Sequence, residues 1–190
     1  MSSCVVVVVT CAWLVPSQVA DLLDGKFAEQ VPNFVIVDCR YEFEYEGGHI
    51  RGAINILEAT ELVQRFLTNP DLSQGAPVLL FHCEFSKNRG PKMLKLLRNL
   101  DRKIHADTYP DLYYPELYLI NKGYRNVYAQ RPAVCEPQAY TEMSDPRFHE
   151  VQLAAHSRVK QSYQRVKCQN GRSRRKRPRS RLRRSCPDKL

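Results

Sequence analysis

The sequence predicts an α/β fold, a parallel sheet flanked by helices. Three observations predict it. Phe34-Val35-Ile36-Val37 and Val78-Leu79-Leu80-Phe81 are short, unbroken apolar runs, as expected of strands buried on both faces. Helical patterns alternate with them, the arrangement that brings parallel strands together. Both runs also lead into a cysteine, through Asp38-Cys39 and His82-Cys83. In such sheets ligands bind beyond the carboxyl ends of strands.

Each element has its own signal. Residues 4–15 form an apolar run of 12 residues, shorter than the roughly 20 needed to span a bilayer, so no membrane role is expected. No basic segment precedes it, as one would in a signal peptide. Trp13-Leu14-Val15 is expected to enter the first core strand. Ser17 can cap a helix through Gln18 to Asp24, with Gly25 behind it. Gly47, Gly48 and Gly52 punctuate a loop, and Ala53-Ile54-Asn55-Ile56 reads as a short strand. Residues 61–67 read as a helix stopped by Asn69-Pro70. Pro91 suits a first helical turn. Met93, Leu96, Leu97 and Leu100 then give one buried stripe, with Lys92, Lys95, Arg98, Asn99 and Arg102 on the other face. Residues 117–120 suit strand or helix. Residues 145–167 can form a helix with Phe148, Val151, Ala155 and Val159 as its apolar stripe. These signals divide the chain into an N-terminal extension (1–13), one domain (14–143), a C-terminal helical extension (144–167) and a disordered Arg-rich tail (168–190).

The densest chemistry lies in His82-Cys83-Glu84-Phe85-Ser86-Lys87-Asn88-Arg89. A strand, a tight loop opened by Cys and closed by Arg, and a helix form a cradle for an oxyanion with a nucleophile at its base. Free amides and the macrodipole at the helix N-terminus favour negative charge. They also lower a thiol pKa from about 8.5. Cys83 is then the nucleophile and Arg89 a planar fork for two phosphate oxygens. The amides of Glu84, Phe85, Ser86, Lys87, Asn88 and Arg89 are the oxyanion donors. His82 is expected to orient the loop and help lower the thiol pKa. Cys39 has two readings: a small buried thiol, or a disulfide partner that protects Cys83 from over-oxidation.

Asp38, Arg40, Glu44 and His49 surround the Gly-rich turn, where hydrogen-bonded polar clusters commonly pin loops. A structural role is expected for them. Glu42, Glu44 and Glu46 alternate and read as a solvated strip. Seven cysteines, an odd number without a Cys-x-x-Cys pair, are expected to be reduced thiols of an intracellular protein, with no metal. The net charge of +9 resides in the tail. Residues 1–157 hold 15 Lys and Arg against 19 Asp and Glu, whereas residues 158–190 hold 14 against one. The run that opens on Arg172 and closes on Arg184 cannot bury a core. It suits a nuclear import signal, a contact for an acidic protein surface or a non-specific nucleic-acid patch, the first two favoured, and no aromatic residue interleaves it for base stacking.

Several motifs together resemble one family. Asp38-Cys39-Arg40, Glu44-Tyr45 and Gly47-Gly48-His49-Ile50-Arg51-Gly52-Ala53 look like the first signature of the rhodanese-like fold. Val35-Ile36-Val37-Asp38-Cys39-Arg40-Tyr41, His82-Cys83-Glu84-Phe85-Ser86, Arg89-Gly90-Pro91, Tyr113-Tyr114-Pro115-Glu116, Gly123-Tyr124 and Cys135-Glu136-Pro137-Gln138 resemble the M-phase inducer phosphatases more closely. The resemblance covers about residues 14–143.

It implies a rhodanese-like catalytic domain that removes inhibitory phosphates from adjacent Thr and Tyr of a cyclin-dependent kinase–cyclin complex. That reaction passes through a phosphocysteine on Cys83 and promotes cell-cycle progression. It further implies a Cys39–Cys83 disulfide, no cofactor, and substrate docking through Arg98, Arg102 and Tyr109. Residence in nucleus and cytoplasm, monomeric action and an import receptor at 172–184 complete the expectation. The chain departs from the family pattern at three places. Asn88 stands where Glu is usual, which makes Glu84, or the substrate itself, the candidate acid. Residues 105–108 lengthen the approach to Tyr109. The dozen residues before the domain suit a short form, a fragment or a differently regulated member. Competing readings are an arsenate reductase or sulfurtransferase on the same fold and a non-catalytic binding module. Sulfurtransferase loops of this fold are typically one residue shorter, and the presence of both Cys83 and Arg89 disfavours the binding module.

Overall fold

The computed structural model describes residues 12–174. The valine-rich start and residues 175–190 of the basic tail lie outside the described residues. Five parallel strands form the main sheet: β1 (Ala12–Leu14), β2 (Phe34–Asp38), β4 (Ile54–Asn55), β5 (Val78–His82) and β6 (Leu117–Ile120). Their order across the sheet is β1-β6-β5-β2-β4. A small antiparallel pair, β3 (His49–Ile50) and β7 (Cys135–Glu136), stands apart. The α/β class is as expected. The first strand is an edge strand rather than a core one, with Trp13 54% exposed.

Alternation along the central strands feeds two apolar layers. Val37, Leu79 and Phe81 pack with Leu62, Phe66, Met93 and Leu97. Ile36 and Leu80 pack with Val19, Tyr124 and Val127 on the other face. The helices that supply these residues are α1 (Pro16–Leu23), α3 (Ala59–Val63), α4 (Arg89–Ile104) and α5 (Gly123–Gln130). α3 runs directly into a π-helical turn, Gln64–Thr68.

Local chemistry moved several expected boundaries. α1 opens on Pro16 rather than after Ser17, and the Val15 amide donates to the Gln18 carboxamide at 3.0 Å. The stripe on α4 is Met93, Leu94, Leu97, Arg98 and Asp101, because Arg98 and Asp101 find buried partners. Glu42, Phe43, Glu44, Tyr45 and Glu46 form a short helix, α2 (Glu42–Glu46), so the expected solvated strip does not exist as such: Glu44 is fully buried. The last helix, α6 (His149–Arg174), runs past the expected limit of residue 167. Residues 168–174, expected in the tail, are therefore helical. Val151 is exposed, and the buried stripe is Ala155, Ser162 and Val166. Ser162 Oγ accepts the Ala59 amide at 3.0 Å, which docks α6 on α3. No described helix is long and apolar enough to cross a membrane.

Candidate active site

The chain leaves β2 for β4 on one side and β5 for β6 on the other. The carboxyl ends of β2 and β5 are therefore a switch point, where an open α/β sheet leaves a crevice. Asp38 pairs with His82 in register, so Cys39 and Cys83 emerge from neighbouring strands at matching positions. The Cys39 amide donates to His82 O at 2.8 Å. Adjacent strands lie about 4.8 Å apart, within the Cα separation of about 4.4–6.8 Å that a disulfide requires. Both thiols are free and buried. Burial, then the neighbouring Cys83, pushes the Cys39 thiol well up.

The loop after Cys83 has its donors to spare. No backbone amide of residues 84–88 donates to another group among the described residues. The acceptors, by contrast, are taken: Cys83 O receives the Tyr124 amide at 2.9 Å and Glu84 O the Arg125 amide at 3.1 Å. The start of α5 thus fixes the loop by its carbonyls and leaves its N–H groups for an anion. Gly123 makes this possible. Its φ is +64°, and a Cβ there would lie 2.2 Å from Cys83 O. Ser86 adopts a φ of 52°, uncommon for a non-glycine residue, and its buried hydroxyl has no partner among the described residues.

Arg89 opens α4 and reaches back across the crevice. Its Nη1 donates to Glu44 Oε2 and its Nη2 to Glu44 Oε1 at 3.0 Å. The guanidinium also lies over the Tyr41 ring, 4.8 Å from its centroid. Glu44 accepts the Tyr41 amide at 2.9 Å as part of the helix cap. Burial disfavours the Arg89 cation, but the Glu44 carboxylate outweighs it and holds Arg89 charged. Glu44 is thus a site residue that the sequence pattern misplaced. Its partner lies 45 positions away, and its helical setting is hidden in an alternating Glu pattern.

The structural reading holds for its neighbours. Asp38 and Arg40 form a fully buried pair at 2.7 Å, and Arg40 donates to Gly48 O at 2.7 Å. The Arg40 guanidinium caps the Tyr124 ring at 3.8 Å. Burial would raise Asp38, yet Arg40 holds it below the usual carboxylate range. His49 stacks on Tyr45.

Other expectations need correction. His82 is fully buried, and burial pushes its pKa down. Burial therefore works against the imidazolium that would lower the thiol pKa; Nε2 faces Asp38 at 3.7 Å and Nδ1 lies 3.4 Å from Cys83 O. Arg98 is buried and donates to Tyr114 O at 2.7 Å and Pro115 O at 2.9 Å, so it pins a loop instead of presenting a docking charge. Arg102 and Tyr109 are exposed, as docking would need. Glu84 is 2% exposed, and its Oε1 accepts the Tyr140 hydroxyl at 2.6 Å and the Met143 amide at 3.4 Å. Its carboxylate is tied to the segment before α6. Lys87, Asn88 and Phe85 are exposed at the rim. Among the described residues no cluster of His, Cys, Asp or Glu could hold a metal.

This sheet, with its Cys-to-Arg loop at the switch point, defines a class. Residues 16–130 match the rhodanese-like domain model, and the chain belongs to that family. Its relatives by sequence include M-phase inducer phosphatases. The chain is 43% identical over 142 residues to the M-phase inducer phosphatase of Drosophila melanogaster, covering 70% of this chain and 30% of that protein. It is 46% identical over 131 residues to human M-phase inducer phosphatase 3, covering 67% and 27%. The chain therefore spans less than a third of the length of these relatives. A solved yeast protein tyrosine phosphatase of the rhodanese family, Ygr203w, is 23% identical with a TM-score of 0.48, covering 67% of this chain and 93% of its own.

Proposed function

We propose that the chain is a cysteine-dependent dual-specificity protein phosphatase of the M-phase inducer type. The observation that carries this reading is the loop itself: a cysteine, a set of uncommitted amides and a closing arginine. Sulfur attacks phosphorus, the phosphorus–oxygen bond to the Tyr or Thr side chain breaks, and phosphocysteine forms on Cys83. Water then attacks the phosphorus and returns the thiolate and inorganic phosphate. Arg89 shifts from Glu44 to the phosphoryl oxygens as charge spreads over them. Asn88 cannot give up a proton as a carboxylic acid does, and Glu84 is tied to Tyr140 and Met143. The leaving oxygen then takes its proton from the phosphate monoanion of the substrate.

The substrate in this reading is a cyclin-dependent kinase–cyclin complex phosphorylated on adjacent Thr and Tyr, met through Arg102 and Tyr109. Under oxidant, Cys39 and Cys83 each lose a proton and together two electrons, forming a disulfide that thiols reverse. Residence in nucleus and cytoplasm and action as a monomer follow the same family expectation, and import through 172–184 rests on the basic run itself. The deciding test is phosphate release from the doubly phosphorylated complex. The wild type should release it and Cys83→Ser should not. Equal release by both, or turnover of thiosulfate with no phosphate released, would overturn the reading in favour of the sulfurtransferase alternative or none.

A further inference from the structure

The crevice has two sides. On one, α6 and the start of α4 enclose a cavity of about 480 Å³, with Arg89, Lys92, Lys160 and Lys167 in its lining. On the other, the first turn of α5 abuts the Cys83 loop, and its Tyr124 belongs to the apolar layer on the opposite face of the sheet from α4. The chemistry at Cys83 uses the backbone of that turn, through the amides of Tyr124 and Arg125. It leaves the Arg125 side chain without a task.

Arg125 is exposed, and its guanidinium lies over the ring of Phe85, 5.7 Å from the centroid. Phe85 comes two residues after the nucleophile and is 37% exposed. The bland account is a cation that covers a stray ring, since single exposed apolar residues are ordinary. That account uses only the face of the guanidinium. An arginine stacked by its face keeps its N–H donors at the edge, in a planar fork that matches a carboxylate. Other arginines near the crevice have that edge committed: Arg40 to Asp38, Arg89 to Glu44 and Arg158 to Glu42. The fork of Arg125 meets neither an acceptor nor a carboxylate among the described residues. Lys87, exposed in the same loop, adds charge of the same sign.

We propose that Phe85 and Arg125 form a subsite for an acidic side chain that flanks the phosphorylated residue of the substrate. The ring packs against the methylenes of that side chain, and the edge of Arg125 takes its carboxylate bidentately. The inference rests on the phosphatase reading and adds to it a sequence preference. The Arg125 amide is bonded to Glu84 O at 3.1 Å, so the fork is anchored to the loop that receives the phosphate. Neighbouring residues of a substrate have Cα atoms about 3.8 Å apart, which brings a flanking side chain to the same rim. A rim of one sign also concentrates acidic partners.

The test is equilibrium binding to the Cys83→Ser chain of three peptides of one sequence, carrying Gln-pTyr-Gln, Glu-pTyr-Gln or Gln-pTyr-Glu. One of the two acidic peptides should bind about fivefold tighter than the neutral one, as for a bidentate pair at the surface. The gain should shrink with added salt. In Arg125→Gln the three peptides should bind within about twofold of one another. Phe85→Leu, which removes the ring beneath the fork, should act in the same direction. Arg125→Lys keeps the charge without the fork and should recover little of the gain. Three peptides that bind alike in the parent, or a full gain retained in either Arg125 variant, would overturn the subsite. Hydrolysis of pTyr by the chain with Cys83 intact is read separately: its absence would sink the phosphatase reading whatever the binding shows.

Discussion

The loop at the end of β5 and the wall supplied by α6 flank the same crevice but are held by opposite means. The loop is fixed by acceptors, its backbone carbonyls and the buried Glu84 carboxylate. Two carbonyls are taken by the amides of Tyr124 and Arg125, and no amide of residues 84–88 donates to another group among the described residues. The α6 wall is fixed by side chains, through Ser162 on Ala59, buried Ala155 and Val166, the pair of Arg158 with Glu42, and His156 against the Tyr41 hydroxyl at 3.4 Å. A site that must present donors to an anion cannot spend them on its own support. A wall that only shapes and charges the space can spend its side chains on its own support.

The contrast can be broken first at the loop. Gly123→Ala places a Cβ against Cys83 O and forces φ +64° on a residue that disfavours it. Phosphatase kcat should fall by about 10²–10³, as for loss of oxyanion donors, while the melting temperature changes far less than the rate. Glu44→Gln tests the clamp across the crevice. It removes the charge that holds Arg89 and should lower kcat/KM by about tenfold, equivalent to about 1.4 kcal/mol. Arg89→Lys should not be rescued by it, because a lysine lacks the planar fork.

At the α6 wall the effect should appear in stability instead. Ser162→Ala leaves the buried Ala59 amide without an acceptor, at a cost of about 1–3 kcal/mol. That is several degrees of melting temperature for a domain of this size, with kcat toward a small aryl phosphate little changed. A smaller effect tests the buried groups behind the loop. His82 is depressed by burial from 6.5 and Asp38 is held below 3.8, so the stability each contributes is present above those values and lost as pH falls. Cys39 is raised above 9.0, so its contribution is present below that value and lost as pH rises. Thermal melts should be flat between about pH 7 and 8.5 and decline on either side.

The two regions also differ in what their residues disclose. Cys83 and Arg89 lie close in the chain, and strand, loop and helix follow in order, so local pattern identifies the cradle. The pairing of β2 with β5, which puts Cys39 beside Cys83, follows only from topology. Glu44 needed two facts that no local pattern holds: that residues 42–46 turn into a helix, and that Arg89 reaches back to them. Arg98 was misplaced because a helical wheel sorts residues by polarity, and the carbonyls of Tyr114 and Pro115 made burial of a guanidinium favourable. The α6 wall was legible as a helix but not as part of a cavity, since its partners lie a hundred residues earlier.

The phosphatase reading turns on one step, transfer of a phosphoryl group to Cys83. Rapid acid quench of the chain with a phosphotyrosine substrate, followed by peptide mass spectrometry, tests it most directly. One phosphoryl group is expected on the peptide that contains Cys83, absent from Cys83→Ser. Phosphate release with no label on Cys83, or a persulfide there after exposure to thiosulfate and no phosphoryl group, would contradict it.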